Sequence, residues 1–392
     1  TDDFTVEVLS SWDLFDFERF VPTGPIVSNR EDEYYTRILS RWTPNEQQSV
    51  AFGAAYSHEQ FGLPSPGFPH VAPFVGRLPP PLQGPWETNT FSLMGEYVHK
   101  FNDYWTGFAG ARGDKHTYSD WLISPRASLV FTPNERDTYK AMWGVATRRA
   151  LDAELRRQFL ELGSFSENEE NESFELRYER RPCDHITYGA SGFYQNYTSI
   201  GFNPTLGQQS VLGEFQIAGL ELEASYRTET RQWVVSHSYT KLMSSAIPDI
   251  TRVQGVTAEP YGFGSDLASW SPHLTKIYAN QSLNDLWSVN GSIRAYWGFP
   301  GDEDLANYNA SLPTPSGFLP LVDPGFDKSF RGSYFLDFGL ERKFGCGNGV
   351  ARLDLYNVLG WIDQDLNKRN VLRRASWRDE AAAVGMSVRW TF

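Results

Sequence analysis

Long apolar runs are missing from this chain. No stretch of its 392 residues approaches the roughly 20 consecutive apolar residues that a membrane-crossing helix needs, so a helical membrane protein is excluded. Cysteine is nearly absent: Cys183 and Cys346 are the two in the chain, too few for a disulfide scaffold. The pattern places both in short turns at one rim, six strands apart. Neighbouring strands lie about 4.8 Å apart, so six strands put the two Cα atoms tens of ångströms apart, well beyond the roughly 4.4–6.8 Å that a disulfide spans. Two free thiols are expected. Basic excess is also missing. The net charge is −13, which argues against nucleic acid as a partner. The seven histidines form no His-x-x-x-His spacing, and no metal site or cofactor is expected.

Aromatic residues are abundant. They make up 15% of the chain, including 13 Trp and 19 Tyr, while mean hydropathy is −0.45. Strands that are apolar on one face only combine these two properties, and they escape hydropathy scans. The chain end shows the pattern. In Val384-Gly-Met-Ser-Val-Arg-Trp-Thr-Phe392, the residues Val384, Met386, Val388, Trp390 and Phe392 share one face. Gly385, Ser387, Arg389 and Thr391 share the other, a period of two that marks a half-buried strand. An aromatic carboxy-terminal strand resembles the closing strand of bacterial outer-membrane barrels. That resemblance implies that Trp390 and Phe392 form an assembly signal read by the barrel assembly machinery.

The same alternation recurs upstream. Trp287, Val289, Gly291, Ile293, Ala295 and Trp297 oppose Ser288, Asn290, Ser292, Arg294 and Tyr296. Leu220 and Leu222 oppose Glu221 and Glu223; Tyr334, Leu336, Phe338 and Leu340 oppose Asp337 and Glu341. Leu353 and Leu355 oppose Arg352 and Asp354, and near the start Phe4, Val6 and Val8 oppose Thr5 and Glu7. Several segments run ten residues or more, enough to cross a bilayer when tilted. Connections alternate between tight Asn/Asp/Gly/Pro turns, such as Thr43–Gln48, Thr132–Asp137 and Leu283–Asp285, and long loops near 59–85, 150–170, 246–266, 300–328 and 360–379. Short turns on one side and long loops on the other are the outer-membrane pattern. The fold class expected is all-β: a transmembrane antiparallel up-and-down β-barrel of about 16 strands, formed by 1–392 as one domain.

Several segments resemble the barrel of TonB-dependent outer-membrane receptors. Ser124–Arg149 looks like that family's Ser-Pro-Arg strand, Thr-Pro-Asn turn and return strand ending in basic residues. Leu151-Asp-Ala-Glu-Leu155 sits where the family has a Leu-rich stretch. Ile217-Ala-Gly-Leu-Glu-Leu-Glu223, Ser271-Pro-His273 and Leu355-Tyr-Asn-Val-Leu-Gly360 match in family order. Full receptors add a plug domain and have about 22 strands. Here an apolar/polar strand already begins at residue 4, so no plug is expected within the chain.

The resemblance implies bacterial outer-membrane localisation and a part in the uptake of a scarce solute. The alternative is an unplugged passive or secretory channel, or a scaffold subunit of an envelope complex. Expected partners are outer-membrane lipid, lipopolysaccharide, the barrel assembly machinery, and a plug or periplasmic domain outside this chain. If the apolar rows face lipid, the alternate rows line the lumen. They carry Arg126, Glu221, Glu223, Arg294, Asp337, Glu341, Arg352, Asp354 and Arg389. A wall of solvated ion pairs is the plain reading of these charges, and a path for a polar solute is the sharper one. Glu221 and Glu223 lie about 7 Å apart by strand geometry, but no catalytic residue is assigned and no enzyme is expected. The run Ser166–Glu172 reads as a solvated extracellular loop. The solute itself has no recognisable motif.

Overall fold

The computed structural model describes residues 3–19, 27–63, 85–150, 152–165, 167–203, 208–246, 271–298, 333–345, 348–362 and 382–391. Its strands are β1 (Phe4–Arg19), β2 (Val27–Asn45), β3 (Gln48–Leu63), β4 (Trp86–Lys100), β5 (Trp105–His116), β6 (Trp121–Phe131), β7 (Asp137–Arg148) and β8 (Glu169–Cys183). They continue as β9 (Ile186–Asn203), β10 (Gln208–Arg227), β11 (Arg231–Ala246), β12 (His273–Ser282), β13 (Trp287–Trp297), β14 (Ser333–Phe344), β15 (Gly349–Tyr356) and β16 (Ala383–Trp390). Each follows its predecessor in one sixteen-stranded sheet, the antiparallel up-and-down order that the alternation predicts. Lengths range from 8 residues in β16 to 20 in β10. A helix, α1 (Asp152–Leu162), interrupts the connection between β7 and β8, and a short helix, α2 (Val358–Ile362), follows β15.

Asparagine sets the tight turns. Asn45 Oδ1 accepts the Gln47 N–H at 2.9 Å, Asn102 Oδ1 those of Tyr104 and Trp105, Asn134 Oδ1 those of Arg136 and Asp137, and Asn284 Oδ1 those of Leu286 and Trp287. Each side chain closes its own turn before the return strand begins, so turn position follows from local sequence.

Two compact units divide the chain. The first holds Thr1–Phe131, Ala141–Phe174 and Asn196–Leu212. In it the register Val8↔Ile38↔Ala54↔Leu93↔Gly113↔Ile123 sets one side-chain row across six strands. Directly opposed residues share a face, so Phe4, Val6, Val8, Ile38, Leu93 and Ile123 stand on one apolar, exposed face. Glu7, Arg37, Arg41, Glu96, Arg112 and Arg126 occupy the other.

The second unit holds Thr132–Lys140, Glu175–Gln195 and Gly213–Phe392. The same parity runs from β10 to β16. Leu222, Val235, Ile277, Ile293, Phe338, Val384 and Val388 share the apolar face, where Val388 is 72% exposed. An apolar row left this open needs an apolar solvent, which a folded water-soluble sheet does not offer. Indole packing ends the unit: Gly345, at φ +60°, follows β14 beneath Trp390, where a Cβ would run into the ring.

Three expectations need correction. The run Ser166–Glu172 is not wholly a solvated loop, because β8 begins at Glu169. Glu169 is buried, joined to Arg148 Nε at 2.5 Å and to the Tyr197 hydroxyl at 3.1 Å. Glu172 accepts from Trp143 Nε1 at 2.9 Å. Pairing with these partners outweighs the solvation that a lone acidic run would seek. The 59–85 loop is shorter than expected, since β3 continues to Leu63 and Glu59 pairs with Thr88. Cys183 ends β8 rather than sitting in the turn, and it is an exposed free thiol. Cys346 and Phe392 lie outside the described residues.

Candidate functional site on the polar face

In the second unit every candidate charge falls on the polar face. Glu221 stands opposite Ser238, whose hydroxyl donates to it at 3.4 Å, and Glu223 opposes Ser236. Asp337 draws three groups together. Its Oδ2 accepts from Ser292 Oγ at 2.9 Å, its Oδ1 accepts from the Asn357 backbone N–H at 2.8 Å, and Arg294 Nη2 lies 3.5 Å away. Arg294 also stacks 5.3 Å over the Phe335 ring, which is fully buried. Asn357 is left-handed at φ +49°, a conformation that asparagine tolerates better than most residues. Asp337 therefore fixes the strand-to-helix corner of Leu355–Gly360.

Charges of opposite sign on neighbouring strands can pair across the ladder. Glu341 and Arg352 do oppose each other in register. Arg352 instead grips Asp354, two residues along its own strand, with Nε 2.8–2.9 Å from both carboxylate oxygens. The Nε–H is shared between both oxygens of Asp354, and this three-centre contact within the strand takes Arg352 away from Glu341. The cross-strand pair lies one strand earlier, as Arg294–Asp337 between β13 and β14. Arg389 opposes Val350.

In the first unit the polar face carries more than a row of ion pairs. Arg126 Nη2 reaches Glu96 at 2.5 Å, and Arg37 pairs with Glu7. Arg112 Nε holds both oxygens of Asp114 at 2.9 Å and reaches Ser92 through Nη2 at 3.2 Å. Between these groups lies a cavity of about 650 Å³, lined by Arg41, Arg112, Arg126, Glu96, Met94 and Thr147 among others. Small residues make the recess. Ala51, Gly95, Ala111, Gly144 and Ala146 are the small residues on its lining.

Beside it, α1 packs on the polar face of β3–β5. Leu155 is 1% exposed, and the Arg156 guanidinium lies 5.0 Å over the Trp86 ring. The helix start is tied by charge. Asp152 Oδ1 lies 3.0 Å from Arg149 Nη2 and 3.1 Å from His116 Nε2. The His116 approach is poorly aligned for an ideal hydrogen bond. Nδ1 of His116 accepts the Tyr118 N–H at 3.2 Å, which leaves Nε2 to carry the proton toward Asp152. Burial pushes the Asp152 carboxyl up, but the His116 hydrogen bond and the Arg149 charge outweigh it and hold it below the ordinary carboxylate range. Among the described residues no group of three His, Cys, Asp or Glu side chains converges as a metal site would.

Sequence reasoning missed α1, the cavity, and the roles of Glu96, Arg112, Asp114, His116 and Asp152. The helix had a signal: Asp152 opens it, and Leu155, Phe159 and Leu162 follow at helical spacing. The cavity had none, because it depends on which strands bring small residues side by side.

Among curated proteins none matches the chain. A family model described as TonB-dependent receptor-like, β-barrel, matches residues 1–358. Similar solved structures include the siderophore receptor PirA from Acinetobacter baumannii, at 13% identity and TM-score 0.65, with 99% of this chain and 60% of that chain covered. The FrpB iron transporter from Neisseria meningitidis aligns at 15% identity and TM-score 0.62, over 93% of this chain and 55% of that one. A mutant of the ferric enterobactin receptor PfeA from Pseudomonas aeruginosa aligns at 14% and 0.60, over 91% and 53%. These alignments carry the fold alone, and the chain spans 60% or less of each of the three structures' length. The family match across residues 1–358 is the stronger finding, and the chain belongs to the TonB-dependent receptor-like β-barrel family of bacterial outer-membrane proteins.

Proposed function

We propose that this chain is the barrel of an outer-membrane receptor that takes up a scarce solute, with energy delivered through TonB from the inner membrane. Residues 1–392 act as one barrel domain in this reading. The carrying observation is the family match over residues 1–358, joined to a sheet with one open apolar face and one charged face. The apolar face meets lipid, and lipopolysaccharide surrounds the ends with the long connections. The polar face, with Arg126, Glu221, Glu223, Arg294, Asp337, Glu341, Arg352, Asp354 and Arg389, lines the water-filled side. Charge buried in lipid near mid-bilayer costs about 2–4 kcal/mol, which supports this choice of sides. Assembly engages the barrel assembly machinery through Trp390 and Phe392. No catalytic role is assigned.

Iron-bearing chelates are the first solutes to test, because the similar structures are named as siderophore and iron receptors. The experiment is radiolabelled iron-chelate uptake in an iron-starved deletion strain expressing the natural polypeptide, with and without TonB. Uptake that needs both the receptor and TonB supports the reading. TonB-independent leakage of small solutes supports an unplugged channel instead. Neither transport nor leakage, with the protein folded in the outer membrane, leaves the scaffold role.

A further inference from the structure

Polar side chains gather where the apolar face of the second unit ends. The row Val235↔Ile277↔Ile293 continues as His237↔Thr275↔Ala295 and then as Tyr239↔His273↔Trp297, so two imidazoles and a threonine share the apolar face of β11–β13. Trp287 and Trp297 bound β13 on that face. The steps between them rise about 34 Å along the strand. A tilt of about 40° brings this to about 25 Å, the height of the apolar band between the two aromatic girdles of a membrane barrel. Trp297 and the rings packed on it therefore stand at headgroup level, at the end where the long connections leave. His273 lies 3.9 Å from Trp297 with the rings 5° from parallel, and 4.8 Å from Tyr239. A chain of polar contacts runs beneath. Trp297 Nε1 donates to Thr275 Oγ1 at 3.3 Å, Thr275 Oγ1 lies 2.9 Å from His237 Nδ1, and His237 Nε2 lies 3.4 Å from His273 Nδ1. His273 Nε2 ends the chain, with no hydrogen-bond partner among the described residues. Gly298, at φ +77°, borders that edge of the ring, where a Cβ would lie 2.8 Å from His273 Cδ2. Two residues beyond Tyr239 on the same face is Lys241, exposed and without an ion pair among the described residues. Up to Lys241, the described residues of β11–β13 place no carboxylate on this face, in a chain of net charge −13.

We infer that this corner is a docking site for the phosphate of an outer-leaflet lipid. Lys241 supplies the charge, His273 Nε2 and the Tyr239 hydroxyl supply hydrogen bonds, and Trp297 packs on the lipid's carbon skeleton. Tyr239 and His273 are directly opposed, and Lys241 is the diagonal neighbour of His273, about 7–8 Å away and within reach of a long side chain. A phosphate has several strong acceptor oxygens, so it takes donors from an ammonium, an imidazole and a phenol together. Its charge selects the proton order in which Thr275 donates to His237, His237 to His273, and His273 outward. Polar groups facing hydrocarbon are costly unless partnered. Here they partner one another, and the one end left over points to the level where lipid phosphates lie. The site faces the leaflet, so nothing that fills the lumen covers it. The assignment rests on the reading that the apolar face meets lipid, and it names a particular lipid group for one place on that face.

The test uses the natural full-length protein in detergent micelles, with native mass spectrometry counting retained lipid. The probes are a short-core lipopolysaccharide and the same material stripped of its phosphates. The wild type is expected to hold the phosphorylated form roughly tenfold more tightly, the worth of one hydrogen bond to a charged group. Lys241→Gln is expected to lose most of that preference, and so is His273→Phe, which keeps the stack on Trp297 without the donor. Arg231→Gln, which removes a cation of the same face at the short-turn end, is expected to keep it. Equal retention of both forms by the wild type overturns the proposal, and so does an unchanged preference in folded Lys241→Gln and His273→Phe proteins. Inorganic phosphate binding as tightly as the lipid overturns the lipid as occupant. If one variant does not fold, the other decides together with the wild-type comparison. The faces are read separately, from a nitroxide in place of Ile277 in bilayers. Relaxation by oxygen there, without phosphate preference, overturns this site alone; relaxation by a water-soluble nickel chelate overturns the assignment of faces and the site with it.

Discussion

Asp337 on β14 accepts the backbone N–H of Asn357 at 2.8 Å, across twenty residues of chain, and so fixes the corner where β15 gives way to α2. Asn357 is 2% exposed, so its N–H has no water to turn to. Asp337→Ala is expected to cost about 1–3 kcal/mol, the penalty for a buried donor left without an acceptor. Asp337→Asn keeps an acceptor and should cost less. Urea midpoints of the folded protein in micelles measure both, and equal stability of all three proteins would refute the clamp.

A second prediction follows from parity. Ile277 stands in the row Val235↔Ile277↔Ile293 on the apolar face. Ser236 is on the polar face, directly opposite Glu223. Ile277→Arg should cost about 2–4 kcal/mol if the row lies near mid-bilayer, while Ser236→Arg, set between Glu223 and Lys276 on the polar face, should cost well under that. Equal costs in a lipid-bilayer unfolding titration would contradict the assignment of faces.

The third concerns pH. Asp152 lies outside the strands, and its carboxyl is held below its ordinary range. A depressed carboxylate contributes stability above its unfolded value, about 3.9, and loses it as pH falls through the lower folded value. Docking of α1 should therefore hold from pH 7 to about 5 and loosen below about 3.9. Hydrogen exchange of the 152–162 segment, corrected for intrinsic rates, reads this directly. Asp152→Asn should be less protected at pH 7 and show no acid step; an unchanged step in that variant would count against the His116–Asp152–Arg149 tie.

Assembly gives the fourth. Trp390 packs against Phe344, with ring centroids 5.3 Å apart, and so has a structural role beside any signal. Deleting Phe392 is expected to lower outer-membrane levels several-fold while leaving the urea midpoint of the folded fraction nearly unchanged. Equal membrane levels in a heat-modifiability gel would exclude a terminal assembly signal.

What could be read in the chain follows from the range of each interaction. Strand faces were legible because a period of two is local: Leu222, Ile293 and Val388 announce their side through their neighbours. Turns were legible because Asn45, Asn102, Asn134 and Asn284 bond to their own backbones. Register was not. Which of Glu341 or Asp354 would win Arg352 depends on side-chain reach within the sheet, and the choice fell to Asp354. Likewise the Asp337–Asn357 clamp and the recess lined by Ala51, Gly95, Ala111 and Gly144 exist only once strands are side by side. Helix α1 was marked by Asp152 and Leu155, but the polar network that pins it spans β3 to β7.

The central claim is that the apolar face of this sheet meets lipid and the polar face meets water. Nitroxide scanning along β13 in reconstituted bilayers tests it most directly, with a cysteine-attached label at each position from 288 to 296 in a protein lacking its two native thiols. Labels at 289, 291, 293 and 295 should be relaxed by dissolved oxygen. Labels at 288, 290, 292, 294 and 296 should be relaxed by a water-soluble nickel chelate, with a period of two. Uniform accessibility along the strand, or the opposite phase, would contradict the account.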